Sequence, residues 1–177
     1  MTPNEIFTSI SKERAFAIFS FFQEKEKPLY KATIDSLAKQ RKLRPVFLER
    51  KPRPERHAWM LDALGRKINE GLAAQLLQIW LVSQQTKLLC NFLDSLGIAH
   101  DENGTVESIP ADPGHEALEK AIDQLFSSHE PDVIAIYLNA FQALDENGWP
   151  SLQAILDSDP RLSLTQPGLK QEAVAGN

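Results

Sequence analysis

The chain has 177 residues, of which 42% are apolar and 24% are charged, so it is long enough for one ordinary globular domain with a real core. Its single cysteine, Cys90, excludes an intramolecular disulfide, and we expect a protein of a reducing compartment, the cytoplasm. The densest apolar run near the start, residues 15–22, has eight residues and is followed by QEKEK. We therefore expect neither a signal peptide nor a membrane span, which needs about 18 apolar residues.

Charge is unevenly distributed along the chain. Through His57 there are thirteen Lys or Arg and seven Asp or Glu, a net charge of +6, whereas the remainder carries −11. Residues 39–57, KQRKLRPVFLERKPRPERH, hold eight Lys or Arg against two Glu, and we call them the basic segment. Such asymmetry is typical of a chain with an acidic partner, but opposite faces also neutralise each other within one fold or across a dimer.

Helical periodicity begins at the start of the chain. Pro3 opens a short helix, and Ser11 is placed to cap a second helix over residues 12–24. The second helix has four Phe within seven residues on more than one face. Two interpretations follow: the helix lies at the centre of a bundle, or one flank forms a dimer or partner surface. The Phe residues are Phe16, Phe19, Phe21 and Phe22.

Prolines divide the next part of the chain. After Pro28 the pattern predicts a helix over 29–42, and three prolines limit the basic segment to about two helical turns near residues 46–50. From Pro54 a helical face recurs, followed by a helix over 72–82 capped by Asn69 and a helix over 86–96 that ends at Gly97. The predicted buried face after Pro54 consists of Trp59, Met60, Ala63, Leu64 and Ile68.

Residues 98–109 are the one place where the pattern favours strands. Asn103-Gly104 is a typical hairpin turn, so we predict a minor two-stranded β ribbon there, with an ordered loop as the alternative. Helices follow near residues 113–127, 131–144 and 150–157. After Leu164 little remains to bury, and we assign residues 163–177 to a flexible C-terminal tail. The predicted fold is mainly α: an irregular multi-helix bundle in a single helical domain over residues 1–162.

A shift of 45 residues aligns two helices at their apolar positions, with Leu88 on Val133 and Phe92 on Tyr137. The period is that of helical-hairpin repeats, which gives an alternative architecture to the irregular bundle. Any two amphipathic helices match in this way, so the bundle remains the main prediction.

Motifs for chemistry are missing from the sequence. There is no GxSxG, GxxxxGK[ST] or GxGxxG, so we predict no enzyme activity and no cofactor. The two DENG stretches lack the first and last ligands of a calcium loop, and the histidines at 100, 115 and 129 lack the spacing of a metal site. Cys90 has no basic neighbour in sequence and is interpreted as a packing residue.

The basic segment is the candidate functional site. The main hypothesis is a non-catalytic protein-interaction or scaffold module, or self-association, through this segment. The alternative is a nucleic-acid-associated protein in which the same cations contact phosphates; a helix-turn-helix fits poorly because Lys42 stands where glycine usually allows the turn. A third interpretation has Leu43, Val46, Phe47 and Leu48 clamping the segment to the core while its arginines pair with acidic helices, such as those that bear Glu116, Glu119 and Asp123. The candidate partner-binding residues are Arg41, Arg44, Val46, Phe47, Arg50, Lys51, Arg53 and Arg56.

Overall fold

The computed structural model describes residues 1–144 and 148–164, and this part of the chain is mainly helical. None of its helices is long and apolar enough to cross a membrane. Short 3₁₀ turns lie at Lys67–Asn69 and Pro160–Leu162. The α-helices are α1 (Pro3–Ser9), α2 (Lys12–Lys25), α3 (Lys27–Gln40), α4 (Pro45–Glu49), α5 (Arg53–Leu64), α6 (Glu70–Gln84), α7 (Thr86–Ser95), α8 (His115–Phe126), α9 (Pro131–Gln142) and α10 (Pro150–Ser158).

The helix starts follow the local chemistry of the sequence. Proline occupies the first turn of six helices, where its missing N–H removes a donor that has no intrahelical acceptor. Ser11 caps α2 as predicted, since its Oγ accepts a hydrogen bond from the Arg14 backbone N–H at 3.0 Å. Gly97 ends α7 with φ +66°, the predicted left-handed conformation.

The core is built around α9 and receives apolar faces from most other helices. Residues 133–139 of α9 are all buried, and α9 contacts α1, α6, α8 and α10. The Phe-rich α2 packs on α3, α5 and α6, with Phe19 and Phe22 buried and Phe16 and Phe21 partly buried. The bundle therefore buries one face of α2 and partly covers the flanks that carry Phe16 and Phe21.

Contacts between distant elements do not support the 45-residue repeat. The first helix, α1, lies against α5, α6 and α9, and α6 also contacts α9. In a repeat stack each unit contacts only its neighbours. These long-range contacts join the two ends of the described chain into one buried cluster that runs from Ile6 to Leu164.

The prediction of a β ribbon at 98–109 is wrong: the described residues contain no strand. The Asp101 carboxylate accepts hydrogen bonds from the backbone N–H groups of Asn103 and Thr105, at 2.9 and 2.8 Å. The side chain thereby closes a compact turn and takes backbone donors that a ladder would use. Gly104, at φ +72°, sits directly on α7, where an added Cβ would lie 2.5 Å from Leu89 Cβ.

Two further predictions need correction. Ile68 was assigned to the buried face after Pro54, but α5 ends at Leu64 and Ile68 is 77% exposed in the following 3₁₀ turn. Asn69 precedes α6 without a capping side-chain bond: its Nδ2 donates to the Ala63 carbonyl at 2.7 Å, and its Oδ1, the atom that would cap the helix, is buried without a partner among the described residues. At the C-terminal end of the described chain, Leu162 and Leu164 are buried, so the core extends past residue 162, the predicted end of the domain. The rest of the predicted tail, 165–177, lies outside the described residues.

Candidate interaction surface

The basic segment begins at the C-terminus of α3, which ends in a Schellman motif. The backbone N–H of Leu43 donates to the Ala38 carbonyl at 2.9 Å, and that of Lys42 donates to the Lys39 carbonyl at 3.1 Å. Lys42 takes the left-handed position at φ 55°, where glycine is usual. The chain consequently reverses sharply and places Leu43 and Arg44 at the entrance of α4.

Only one of the four proposed apolar anchors in the segment is buried. Leu48 is 1% exposed, whereas Leu43, Val46 and Phe47 are 41%, 40% and 57% exposed. The interpretation that all four clamp the segment to the core is therefore wrong. The physical reason is length: α4 has five residues, packs on α3, and turns one face inward while the other points to solvent.

Three cations of the segment form ion pairs with nearby helices. Arg41 pairs with Asp62 of α5, and its guanidinium lies 5.5 Å from the centroid of the Trp59 ring. Arg53 contacts Glu24 of α2 at 2.9 Å. Lys51 contacts Glu55, the residue one helical turn ahead, at 3.3 Å. These cations hold the segment onto the helices that flank it.

The acidic residues of α8 form ion pairs with other groups and not with the basic segment. Glu116 pairs with Lys120 within α8, Glu119 contacts His115, and Asp123 pairs with Arg161. Arginines of the segment do pair with acidic residues of other helices, but these are Asp62 of α5 and Glu24 of α2, so the example of α8 is wrong. Each acid on α8 has a basic group one turn away or on the adjoining C-terminal turn.

Arg56 is held by neutral groups. Its Nε donates to the Tyr30 hydroxyl at 3.0 Å, and its Nη1 donates to the Glu49 carbonyl at 3.0 Å. The Tyr30 hydroxyl also lies 3.1 Å from Nε2 of His57. Arg56 therefore ties the C-terminal end of α4 to α3 and α5, and its role in the segment is structural.

His57 is fully buried among aromatic rings. The rings of Phe16, Phe19 and Tyr30 meet its imidazole edge-on at centroid distances of 5.5–6.0 Å. Burial, with smaller contributions from the positive charges of Arg53 and Arg56, lowers the pKa of His57 to about 4. In the neutral tautomer protonated at Nδ1, Nε2 accepts from the Tyr30 hydroxyl, whose oxygen remains free to accept from Arg56.

The remaining members of the candidate set form an exposed surface. Arg44 and Arg50 are exposed, and neither guanidinium has a hydrogen bond or ion pair within the part of the chain that the structure describes. Leu43, Val46 and Arg50 lie three and four positions apart, with Phe47 beside them. We call Leu43, Arg44, Val46, Phe47 and Arg50 the basic apolar patch. Sequence reasoning proposed four of these residues and took Leu43 for an anchor.

Other titratable groups are dispersed. His100 Nε2 lies 3.1 Å from Asp94, and His129 Nε2 lies 3.1 Å from the Asn91 amide. Across residues 1–144 and 148–164, no three His, Cys, Asp or Glu side chains are placed to hold a metal ion. Burial and the negative charges of Asp94 and Asp101 raise the pKa of the Cys90 thiol, which disfavours the reactive thiolate.

Sequence reasoning missed the network under the segment. Tyr30 was not assigned a role, and its contact with Arg56 and His57 joins residues 26 and 27 positions apart. A weak signal was present: arginine and histidine stand next to each other at 56 and 57, one turn into a helix that also carries buried Met60.

No family model, curated protein or solved structure matches the chain.

Proposed function

We propose that the protein is a non-catalytic protein-interaction module that docks a partner on the basic apolar patch. The observation that carries this proposal is Phe47, which is 57% exposed on a short helix between two arginines that have no hydrogen bond or ion pair among the described residues. Aromatic and arginine side chains are the residue types that dominate the energy of protein interfaces. Removing Phe47, Val46 and Leu43 from water provides a hydrophobic driving force for association.

The charge around the patch indicates the chemistry of the partner. Lys39 and Lys42 are exposed beside Arg44, and Glu49 is the single acid between residues 39 and 54. A partner that brings carboxylates to Arg44 and Arg50 gains charge-assisted, bidentate hydrogen bonds. The expected partner is thus an acidic segment that also presents an apolar side chain to Phe47.

The underlying contacts supply a rigid platform for docking. Leu48 is buried below the patch, Arg41 and Arg53 pair with α5 and α2, and Arg56 holds the Glu49 carbonyl. These contacts fix α4 before a partner arrives, which reduces the entropy lost on binding. The basic segment therefore divides into cations that build the platform and cations that face solvent.

A protein partner fits this surface better than a nucleic acid. Arg41, Arg53 and Arg56 are engaged within the fold, so fewer cations are free for phosphates than the sequence suggests. The helix α4 has five residues, too few for a recognition helix in a groove, and its exposed face carries Val46 and Phe47, with exposed Leu43 just before the helix. Phosphate contacts do not explain those side chains.

The test is a peptide-display selection on the purified protein. Peptides that also bind the triple variant Arg44→Gln, Phe47→Ala, Arg50→Gln are removed by counter-selection. The account predicts enriched peptides that combine carboxylates with an aromatic or aliphatic residue. A matched control changes exposed residues elsewhere: Lys67→Gln, Ile68→Ala and Lys87→Gln. Peptides without acidic enrichment, or equal binding to both triple variants, contradict the proposal.

A parallel titration with single- and double-stranded oligonucleotides across a salt series tests the alternative. Binding that weakens steeply with salt, disappears in Arg44→Gln/Arg50→Gln and persists in Phe47→Ala would identify a phosphate-binding surface. That result overturns the protein-docking proposal. Weak binding by wild type and both variants leaves it standing.

A further inference from the structure

A separate apolar cavity lies far along the chain from the basic segment. It has a volume of about 300 Å³ and opens between α6, α7, α9 and the connection over residues 104–109. None of its described lining residues belongs to residues 39–57. A cavity of about 150 Å³ holds a benzene molecule, so this one has room for a ligand of about ten non-hydrogen atoms.

The walls of the cavity are hydrophobic and come from elements that are fixed by the core. Leu77, Leu81 and Leu89 line it from α6 and α7, and Tyr137 and Phe141 line it from α9. All five side chains are at least nine-tenths buried. An apolar molecule that enters displaces water from these surfaces, which is the usual driving force for binding in such sites.

The connection over residues 104–109 forms the remaining wall and is anchored at one end. Gly104 approaches α7 so closely that a side chain would overlap Leu89, and Asp101 holds the backbone N–H of Thr105 at 2.8 Å. Val106 and Ile109 of this connection pack partly on the core. The wall is thus a built part of the fold, held by a glycine contact and a carboxylate turn.

The polar groups of the lining indicate the charge of the ligand. Glu107 is exposed at the edge of the cavity and is the single charged residue among the described lining residues, which include no Lys, Arg or His. Gln78, Thr105 and Ser108 are the other polar side chains of the lining, to which Tyr137 adds a phenolic hydroxyl. A carboxylate-bearing ligand would meet Glu107 without a compensating cation, whereas an ammonium group gains an ion pair there.

We propose that this cavity binds a small apolar amine, whose hydrocarbon part lies on the α6, α7 and α9 walls and whose ammonium group lies beside Glu107. The site is independent of the basic apolar patch. The proposed site binds the amine without a chemical reaction.

The experiment compares three probes of similar length: n-octylamine, 1-octanol and octanoate, titrated into the full chain and followed by amide NMR and calorimetry. We expect saturable binding in the order amine, alcohol, carboxylate, with the largest amide shifts at residues 104–109. In Glu107→Gln the preference for the amine over the alcohol falls by about two- to fivefold, the effect of one exposed ion pair.

Two variants fill the cavity from opposite walls: Ala140→Leu on α9 and Ala74→Leu on α6. Each is expected to weaken octylamine binding by about tenfold or more, because the added side chain takes the space of the ligand. The matched control is Ala154→Leu at an exposed site on α10, which leaves binding unchanged. Thermal unfolding checks that each variant is folded. Absence of saturable amine binding, octanoate binding as tight as the amine, or binding that survives both filled variants would overturn the proposal.

Discussion

Phe47 and Leu48 are neighbours in α4, yet Leu48 is 1% exposed and Phe47 is 57% exposed. The first anchors α4 on α3, and the second leaves an aromatic ring in water beside Arg44 and Arg50. Leu48 therefore stabilises the segment, whereas Phe47 is available to a partner.

The first prediction compares the contributions of Leu48 and Phe47 to the stability of the protein. Leu48→Ala should lower the free energy of unfolding by about 2–3 kcal/mol, because it removes a fully buried side chain. Phe47→Ala should change it by less than about 0.5 kcal/mol, since the ring is mostly exposed. Urea denaturation of both variants measures the difference. Equal destabilisation by the two substitutions would show that Phe47 is packed in solution.

The second prediction concerns the Tyr30 hydroxyl. Tyr30→Phe should cost about 1–2 kcal/mol, because it leaves Nε of Arg56 and Nε2 of His57 without their shared partner. Arg50→Gln is the control, since its guanidinium makes no contact in the described chain. A double-mutant cycle of Tyr30→Phe with Arg56→Gln, read by chemical denaturation, should show coupling; strict additivity contradicts the network.

The third prediction concerns pH. The pKa of His57 is lowered to about 4 in the folded protein, and its ordinary value is about 6.5, so the unfolded chain binds the proton more readily. The contribution of His57 to stability is therefore present above pH 6.5 and is lost as pH falls toward 4. We expect a loss of about 3 kcal/mol across this window, measured by denaturation at several pH values.

The control for the pH prediction is a pair of substitutions. His57→Gln should remove this part of the pH dependence, whereas His115→Gln, at an exposed position of α8, should retain it. If wild type and His57→Gln lose stability in parallel between pH 6.5 and pH 4, the imidazole is not responsible.

The fourth prediction concerns the turn that places α4. Lys42 has φ 55°, a conformation that costs a residue with a Cβ about 1 kcal/mol relative to glycine. Lys42→Gly should stabilise the protein by up to about 1 kcal/mol, while Lys39→Gly, inside the last turn of α3, should destabilise it by about the same amount. Thermal melts of the two variants decide the sign. Destabilisation by Lys42→Gly contradicts the assigned turn.

Helices were predictable from sequence because their signals are local. Apolar spacing, first-turn prolines and the Ser11 cap placed most helices within a few residues of their observed bounds. The prediction of a β ribbon was wrong because the Asp101 carboxylate accepts from the backbone N–H groups of Asn103 and Thr105 and closes a compact turn. The prediction for Ile68 was wrong because α5 ends at Leu64 and Ile68 lies in the following 3₁₀ turn. Apolar spacing continues across this break, so periodicity alone does not reveal it.

The candidate surface was predictable only in part. The charge of residues 39–57 is visible in the sequence, but which cations are paired depends on helices far along the chain, such as Glu24 for Arg53 and Asp62 for Arg41. Sequence alone also does not distinguish the adjacent apolar residues Phe47 and Leu48, so both are predicted to be anchors. Burial distinguishes them, because α3 covers one face of α4 and nothing in the described chain covers the ring of Phe47 to the same degree.

The measurement that tests the central claim most directly is the affinity of a selected acidic peptide for wild type, Phe47→Ala and Ile68→Ala. Both positions expose a large apolar side chain, but only Phe47 belongs to the basic apolar patch. The account predicts that Phe47→Ala weakens binding by about tenfold or more, as at an interface hot spot, and that Ile68→Ala leaves it unchanged. Equal affinities of all three proteins would contradict docking on the basic apolar patch.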